Sequence, residues 1–112
     1  TNHYYIPVPV LSRLTGVGLV ANSESTGHNV NNAIIDVKGS DHATVLATRS
    51  TKTDAGGSTI PAATLESLTM SNDEKATYTK AQTVLVTVLQ NGGGIGMNLN
   101  FSFIFEPARL QS

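Results

Sequence analysis

The segment near the carboxyl end places a bulky apolar residue at every second position. These residues are Met97, Leu99, Phe101, Phe103 and Phe105. Between them stand polar residues, with Ile104 as the exception. Successive side chains point to opposite faces of a β-strand, whereas a helix would spread this pattern around its axis. We therefore expect the three phenylalanines to lie on one face of a strand, against a core.

Other short segments also have the composition of strands. They are residues 4–10, 17–21, 32–38, 42–48 and 75–89. Pro7 and Pro9 remove two backbone donors from the first segment, so residues 1–10 are expected to form an edge strand or an extended arm. A turn near residues 13–16 should separate this segment from the second. In the third segment, Ala33, Ile35 and Val37 share one face.

Two pairs of these segments are predicted to form hairpins. Residues 39–41 (Gly-Ser-Asp) suggest a tight turn, after which Ala43, Val45 and Ala47 should share the buried face. Residues 83–89 and the phenylalanine segment are joined by the glycine-rich residues 91–96, which predicts a second hairpin.

One short helix is compatible with the sequence. Residues 61–68 begin with Pro61 and contain alanine and leucine, as is typical of a first helical turn. Ser71 and Glu74 fit a capping box for a helix through Lys80, but the Thr-Tyr-Thr run at 77–79 favours a strand, which is our interpretation.

Together these elements predict an all-β domain. About seven or eight short strands without a βαβ rhythm indicate an antiparallel β-sandwich or a small jelly-roll-like barrel. We expect one domain over residues 1–112, with 107–112 as a loose tail. Residues 74–78 are similar to the segment that precedes the tyrosine corner of immunoglobulin-like sandwiches.

The composition excludes several functions. Seven Lys and Arg residues against eight Asp and Glu residues give a net charge of −1, so no basic field favours a specific nucleic acid. No apolar stretch approaches the length of a membrane span. Because the chain has no Cys, disulfides, thiolate catalysis and zinc–thiolate sites are absent.

Two glycine-rich motifs are better explained as backbone features than as cofactor sites. Residues 16–21 match the spacing of a dinucleotide fingerprint, with Asp36 near the distance of a ribose-binding acid, but the following residues would continue a helix poorly. Residues 92–96 are not followed by the Lys-Ser or Lys-Thr of a phosphate loop. We interpret the first motif as a turn made flexible by its glycines and the second as a hairpin loop.

The polar clusters of the sequence do not match catalytic or metal-binding patterns. Adjacent positions prevent Ser40, Asp41 and His42 from acting as a triad, and Asp41 is expected to cap the turn. His3, His28 and His42 lack metal-ligand spacing. The aspartates Asp36, Asp41, Asp54 and Asp73 form no calcium motif, and the glycosylation sequon at Asn100 falls within a predicted strand. We therefore expect no catalytic residue, cofactor or metal.

The amino-terminal segment is the predicted contact region. Tyr4, Tyr5, Ile6 and Val8 combine amphipathic rings with an edge strand, and such residues are enriched at interfaces. Abundant Thr, Ser, Asn and Gly are typical of coat, decoration and appendage proteins, so we expect a non-enzymatic, homo-oligomeric subunit in a virion, outside the cell or on its surface. The alternative is a carbohydrate-binding or adhesive module, with a glycan or protein partner held by residues 22–29 and 49–58.

Overall fold

Eight β-strands form two antiparallel sheets in the computed structural model, which describes residues 1–8, 10–71, 73–79 and 81–107. In chain order they are β1 (Asn2–Pro7), β2 (Ser12–Ala21), β3 (Asn32–Lys38), β4 (Val45–Ser50), β5 (Glu66–Leu68), β6 (Thr77–Tyr78), β7 (Thr83–Asn91) and β8 (Leu99–Pro107). Sheet A has the order β1-β7-β3-β4, and sheet B is built around β2. The predicted all-β sandwich is confirmed.

The two sheets differ in width. In sheet B, β8 pairs with β2 from Ser12 to Ala21 and so occupies one whole edge of that strand. A strand has two edges, so β5 and β6 share the other edge, β5 beside Val17–Leu19 and β6 beside Ser12 and Arg13. Sheet B is therefore at most three strands wide at any level, whereas sheet A is four strands wide.

The core lies between the sheets and follows the period of two. Ala33, Ile35 and Val37 are fully buried, as the sequence predicts, because alternate residues of β3 face sheet B. The turn predicted at residues 13–16 is wrong. Those residues continue β2, and a register shift between Leu14 and Gly16 absorbs the irregularity as a bulge.

The prediction that Ala43, Val45 and Ala47 share the buried face of residues 42–48 is also wrong. β4 begins at Val45, which is exposed, and Leu46 and Ala47 are both buried although they are neighbours in sequence. A register shift opposite Val37 and Lys38 places these two consecutive residues toward the core. Ala43 belongs to the preceding turn and is exposed.

The helix predicted at residues 61–68 is absent. Ala62 is bridged to Ala21, Ala63 lies in a turn with a φ of 53°, and Glu66–Leu68 form β5 on the edge of β2. Strand pairing is favoured here because an eight-residue helix is only marginally stable by itself. Within the described residues 73–79 there is one 3-10 turn, Glu74–Ala76, capped by Asp73, and it leads into β6, in line with the strand interpretation of residues 77–79. No helix among the described residues is long and apolar enough to cross a bilayer.

The second predicted hairpin is a crossover between sheets. Both edges of β7 are occupied, by β1 and β3, so β8 joins the other sheet. The connecting loop is held in place: the Oδ1 of Asn31 accepts from the amide of Gly93 at 2.8 Å, and the Oε1 of Gln90 accepts from the amide of Ile95 at 2.7 Å. The predicted tail begins with Pro107, the last residue of β8, and residues 108–112 lie outside the described residues.

Tyr78 joins the two sheets at one end of the core. Its hydroxyl donates to the carbonyl oxygen of Lys38 at 2.8 Å, 40 residues upstream, so the contact is not the local one of a tyrosine corner. Burial raises the pKa of this hydroxyl, with a smaller contribution from the negative charge of Asp41. The ring meets Phe105 edge-on at 6.4 Å.

Candidate functional site

One long side of the sandwich is closed. Here β4 of sheet A lies beside β5 of sheet B, and the Nε of Arg49 lies 3.2 Å from the Oε1 of Glu66. The same guanidinium donates to the carbonyl oxygens of Ser50, Ser58 and Thr59 at 2.7 to 3.0 Å. This network ties the strand to the following loop.

The opposite long side, which we call the open side, has no such closure among the described residues. It is formed by β1 of sheet A and β8 of sheet B, each of which is paired with other strands along one edge only. A cleft of about 460 Å³ runs between them, with part of β7 as its floor. Its size is that of a small-molecule or peptide site.

The β8 wall of the cleft is aromatic. Phe101 and Phe103 lie on one face of the strand, as predicted, with ring centroids 6.2 Å apart and planes inclined by 20°. They are only half-buried, although period-two alternation marks them as core residues. Phe105 is also half-buried, but it packs against the fully buried ring of Tyr78 and does not line the cleft. The phenylalanine face thus contacts Tyr78 at one end and borders the cleft at the other.

The other wall of the cleft, formed by β1 and β7 of sheet A, extends beyond the edge of sheet B. Tyr4 and Ile6 of β1 and Val86 and Val88 of β7 line the cleft. Tyr4 remains 53% exposed although its strand position opposes the buried Val86. This exposure follows from the unequal widths of the sheets, because sheet B has no strand opposite β1.

The chemistry of the cleft is apolar and uncharged. Its lining contains no Lys, Arg, Asp, Glu or His, and its amide-bearing side chains are Asn2, Gln90 and Asn98. A charged group brought into this space would find no opposite charge to compensate for its lost hydration. The cleft therefore suits an uncharged occupant with apolar side chains.

The four predicted contact residues lie on β1 and directly after it. Tyr4 and Ile6 face the cleft, and Tyr5, 56% exposed, lies on the outer face of sheet A. Val8 is 2% exposed and belongs to the chain's own core. The role of these residues in oligomer contacts stays a prediction.

Tyr5 lies in a row of rings on the outer face of sheet A. Its ring centroid is 6.4 Å from that of His3 and 5.7 Å from that of His42. The Nε2 of His42 donates to the carbonyl oxygen of Thr83 at 3.0 Å, which fixes this ring beside Tyr5. His28 lies elsewhere, in a loop, where its Nδ1 accepts from the amides of Val30 and Asn31.

Asp41 caps the turn between β3 and β4, as predicted. Its Oδ2 accepts from the hydroxyl of Thr44 at 2.6 Å, and its Oδ1 accepts from the amides of Thr44 and Ala43 at 2.9 and 3.0 Å. These bonds, led by the Thr44 hydroxyl, lower the pKa of the Asp41 carboxyl to about 2. They also support the following residue, His42, in a left-handed conformation with φ of 56°.

The remaining aspartates serve separate local structures. Asp54 forms an ion pair with Lys52 at 3.4 Å, Asp73 accepts from the amide of Lys75 at 2.8 Å, and Asp36 lies in β3. Within the described ranges, no group of three or more His, Cys, Asp or Glu side chains is arranged to hold a metal ion.

The glycine fingerprint lies inside a strand. Residues 16–21 belong to β2, between β5 and β8, so they form neither the flexible turn that we expected nor the turn into a helix that binds a pyrophosphate. The sequon residue Asn100 lies in β8, as predicted, and its Nδ2 donates to the Oδ1 of Asn22 at 3.0 Å.

The two loops proposed to hold a glycan pack against each other at one end of the sandwich. The amide of His28 donates to the carbonyl oxygen of Thr51 at 3.0 Å, and the hydroxyl of Thr53 donates to the Oδ1 of Asn29. Neither loop contains Phe, Tyr or Trp, the side chains that usually stack on sugars.

No family model, curated protein or solved structure matches the chain.

Proposed function

We propose that the chain is a non-enzymatic structural subunit, such as a coat, decoration or surface-appendage protein, that acts by self-association through its open side. The observation that carries this proposal is a pair of singly paired strands beside an uncharged apolar cleft. Exposed strand edges are templates for pairing with another chain. A virion, extracellular or cell-surface location is the expectation that accompanies this role.

The distribution of charge supports the open side as the contact surface. Natural sheets protect their free edges with charged side chains, above all lysines. β1 contains no Lys, Arg, Asp or Glu, and β8 contains a single one, Glu106. On the closed side, the ion pair of Arg49 with Glu66 covers the corresponding edge. Apart from Pro7 and Pro107, at the ends of β1 and β8, the two edges lack such protection, and we expect them to be covered in an assembly.

The cleft favours self-association over the carbohydrate-binding alternative. A sugar presents many hydroxyl groups, each of which needs a hydrogen-bonding partner when it leaves water. The cleft offers few such groups, at Asn2, Gln90, Asn98 and the hydroxyl of Tyr4, and is otherwise apolar.

The experiment compares one charge introduced at each edge of sheet A. Tyr4→Glu places a carboxylate in the cleft on β1, and Val45→Glu places one on β4; both residues are exposed, at 53% and 43%, so both variants should fold. For the unmodified chain we expect light scattering at micromolar concentration to give a mass above 11.8 kDa. Tyr4→Glu should be monomeric because its charge cannot be desolvated at low cost, and Val45→Glu should associate as the unmodified chain does.

The proposal is wrong if the unmodified chain is monomeric at every salt and protein concentration. It is also wrong if Val45→Glu, rather than Tyr4→Glu, dissociates the assembly, since the contact would then lie on the closed side.

A further inference from the structure

On the open side, β1 of sheet A overhangs an empty position beside β8 of sheet B, and we call this overhang the step. The step is complementary in shape to the same step in a rotated copy of the chain. Sheet A is four strands wide and sheet B at most three, and β1 extends beyond β8 on this side. We propose that two copies close this step around a two-fold axis parallel to the strands, with β1 of each copy adding to the free edge of β8 in the other. This inference rests on the proposed function and specifies which copy-to-copy contact performs it.

The complementarity follows from the unequal widths. Rotation about an axis parallel to the strands exchanges the two layers of the sandwich, so that sheet B of one copy lies in the same layer as sheet A of the other. The overhanging β1 of the second copy then takes the position beside β8 that sheet B leaves empty. The same movement fills the step of the second copy, so both clefts close at once.

Other two-fold arrangements do not close both steps. An axis perpendicular to the sheets pairs each edge with its own copy. Pairing β1 with β1 leaves both clefts open, and pairing β8 with β8 brings the two overhanging β1 strands into the same space. The layer-exchanging rotation is therefore the one that the shape of the molecule favours.

The direction of the new pairing is also determined. β1 is antiparallel to β7, and the loop after β7 reverses the chain into β8, so β1 and β8 run the same way within one copy. Rotation about an axis parallel to the strands preserves direction. The added strand therefore pairs in parallel with β8, which gives evenly spaced, slanted hydrogen bonds.

The groups brought together are chemically compatible. The Tyr4 and Ile6 side chains of the incoming strand would pack on those of the resident β1 and beside Phe101 and Phe103 of β8. None of these side chains carries a formal charge, so no ion is desolvated. Because the contact is isologous, the pair is closed and leaves no free edge on this side.

Engineered disulfides test this arrangement, and the chain has no Cys to interfere. Tyr5 and Ser102 lie on the outer faces of β1 and β8, so within one copy they are on opposite faces of the sandwich. In the proposed pair, Tyr5 of one copy and Ser102 of the other share a face. Tyr5→Cys is combined with Ser102→Cys in one variant and with Asn100→Cys in another. The second variant covers a shift of two residues in the pairing between β1 of one copy and β8 of the other. After mild oxidation, at least one double variant should run as a reducible dimer on a denaturing gel.

The matched controls are the single-cysteine variants and Thr48→Cys combined with Ser102→Cys. Thr48 lies on the outer face of β4, at the opposite edge of sheet A, and is exposed. All controls should run as monomers. A dimer from Tyr5→Cys alone or Ser102→Cys alone overturns the inference in favour of like-edge pairing.

Light scattering separates this inference from the proposed function. If the unmodified chain associates but neither double variant is cross-linked, the two-fold arrangement is overturned and self-association stands. If the unmodified chain is monomeric, both the two-fold arrangement and self-association are overturned. This holds whether native mass spectrometry finds the monomer free or with an apolar ligand bound.

Discussion

Asp41 shows how much one exposed side chain contributes to a turn. Its carboxylate accepts three hydrogen bonds, two from Thr44 and one from Ala43, and its pKa falls from 3.8 to about 2. A lowered pKa in the folded state means that the folded protein prefers the ionised carboxylate more than the unfolded chain does. The resulting stabilisation is complete above about pH 4 and is lost as the pH falls toward 2.

We therefore expect the melting temperature of the unmodified chain to fall more steeply between pH 4 and pH 2 than that of Asp41→Asn. Asparagine can keep the two amide bonds through its carbonyl oxygen but does not titrate. Thr44→Val removes the donor with the largest effect on the pKa and should raise the carboxyl titration midpoint measured by NMR. Equal acid slopes for the unmodified chain and Asp41→Asn would contradict this account.

At the residue scale, the face on which a side chain lies could be predicted wherever apolar residues alternate along a strand. The alternation at Phe101, Phe103 and Phe105 places all three on one face, and the structure confirms it. Burial was harder to predict, because it depends on what lies opposite. Phe105 meets Tyr78, whereas Phe101 and Phe103 border an open cleft. Nothing in the local sequence distinguishes these surroundings.

At the scale of elements, the alternation of β3 and β8 was a reliable guide, whereas the face of β4 and the connections were not predicted correctly. β3 matches residues 32–38, but within the segment 61–68, which favours a helix, Glu66–Leu68 form a strand because the edge of β2 was available. The link after β7 looks like a hairpin in the sequence. It crosses between sheets because β1, far away in sequence, occupies the edge that a hairpin partner would need. Such long-range competition leaves no local signal.

The β7–β8 connection gives a prediction at this scale. Gly94 has φ of 72°, and a Cβ there would collide with the side chain of Gln90, whose Oε1 accepts from the amide of Ile95. We expect Gly94→Ala to destabilise the fold by about 1–2 kcal/mol, since a left-handed conformation disfavours a side chain. Urea denaturation should show a lower midpoint with an unchanged slope.

Gly96 provides the matched control in the same loop. A Cβ there would meet no atom within 4 Å, and its φ is not positive. Gly96→Ala should therefore be neutral or stabilise by about 0.4–1 kcal/mol, through the lower entropy of the unfolded chain. If both variants cost the same, the loop does not depend on the conformation of Gly94.

At the scale of the whole molecule, part of the candidate site could be predicted and part could not. The prolines of the first segment predict an edge strand, and β1 is one. The role of β8 in the site could not be inferred, since its apolar alternation is equally typical of a central strand. The cleft arises from the difference in width between the sheets, which depends on β5 and β6 sharing one edge of β2. That arrangement is a property of the complete topology.

The last prediction concerns the stability of the assembled protein. If the folded chain is a pair and unfolding releases two chains, mass action makes stability depend on concentration, by about 1.4 kcal/mol for each tenfold increase. For two domains of this size, we expect the melting temperature to rise by roughly 3 °C per tenfold increase, in calorimetry from micromolar to millimolar protein. Tyr4→Glu should melt at one temperature throughout, because its unfolding is unimolecular, and Val45→Glu should keep the dependence. The prediction is wrong if the melting temperature of the unmodified chain is independent of protein concentration. The open side would then be stable in water without a partner, and its uncharged edges would be tolerated for another reason.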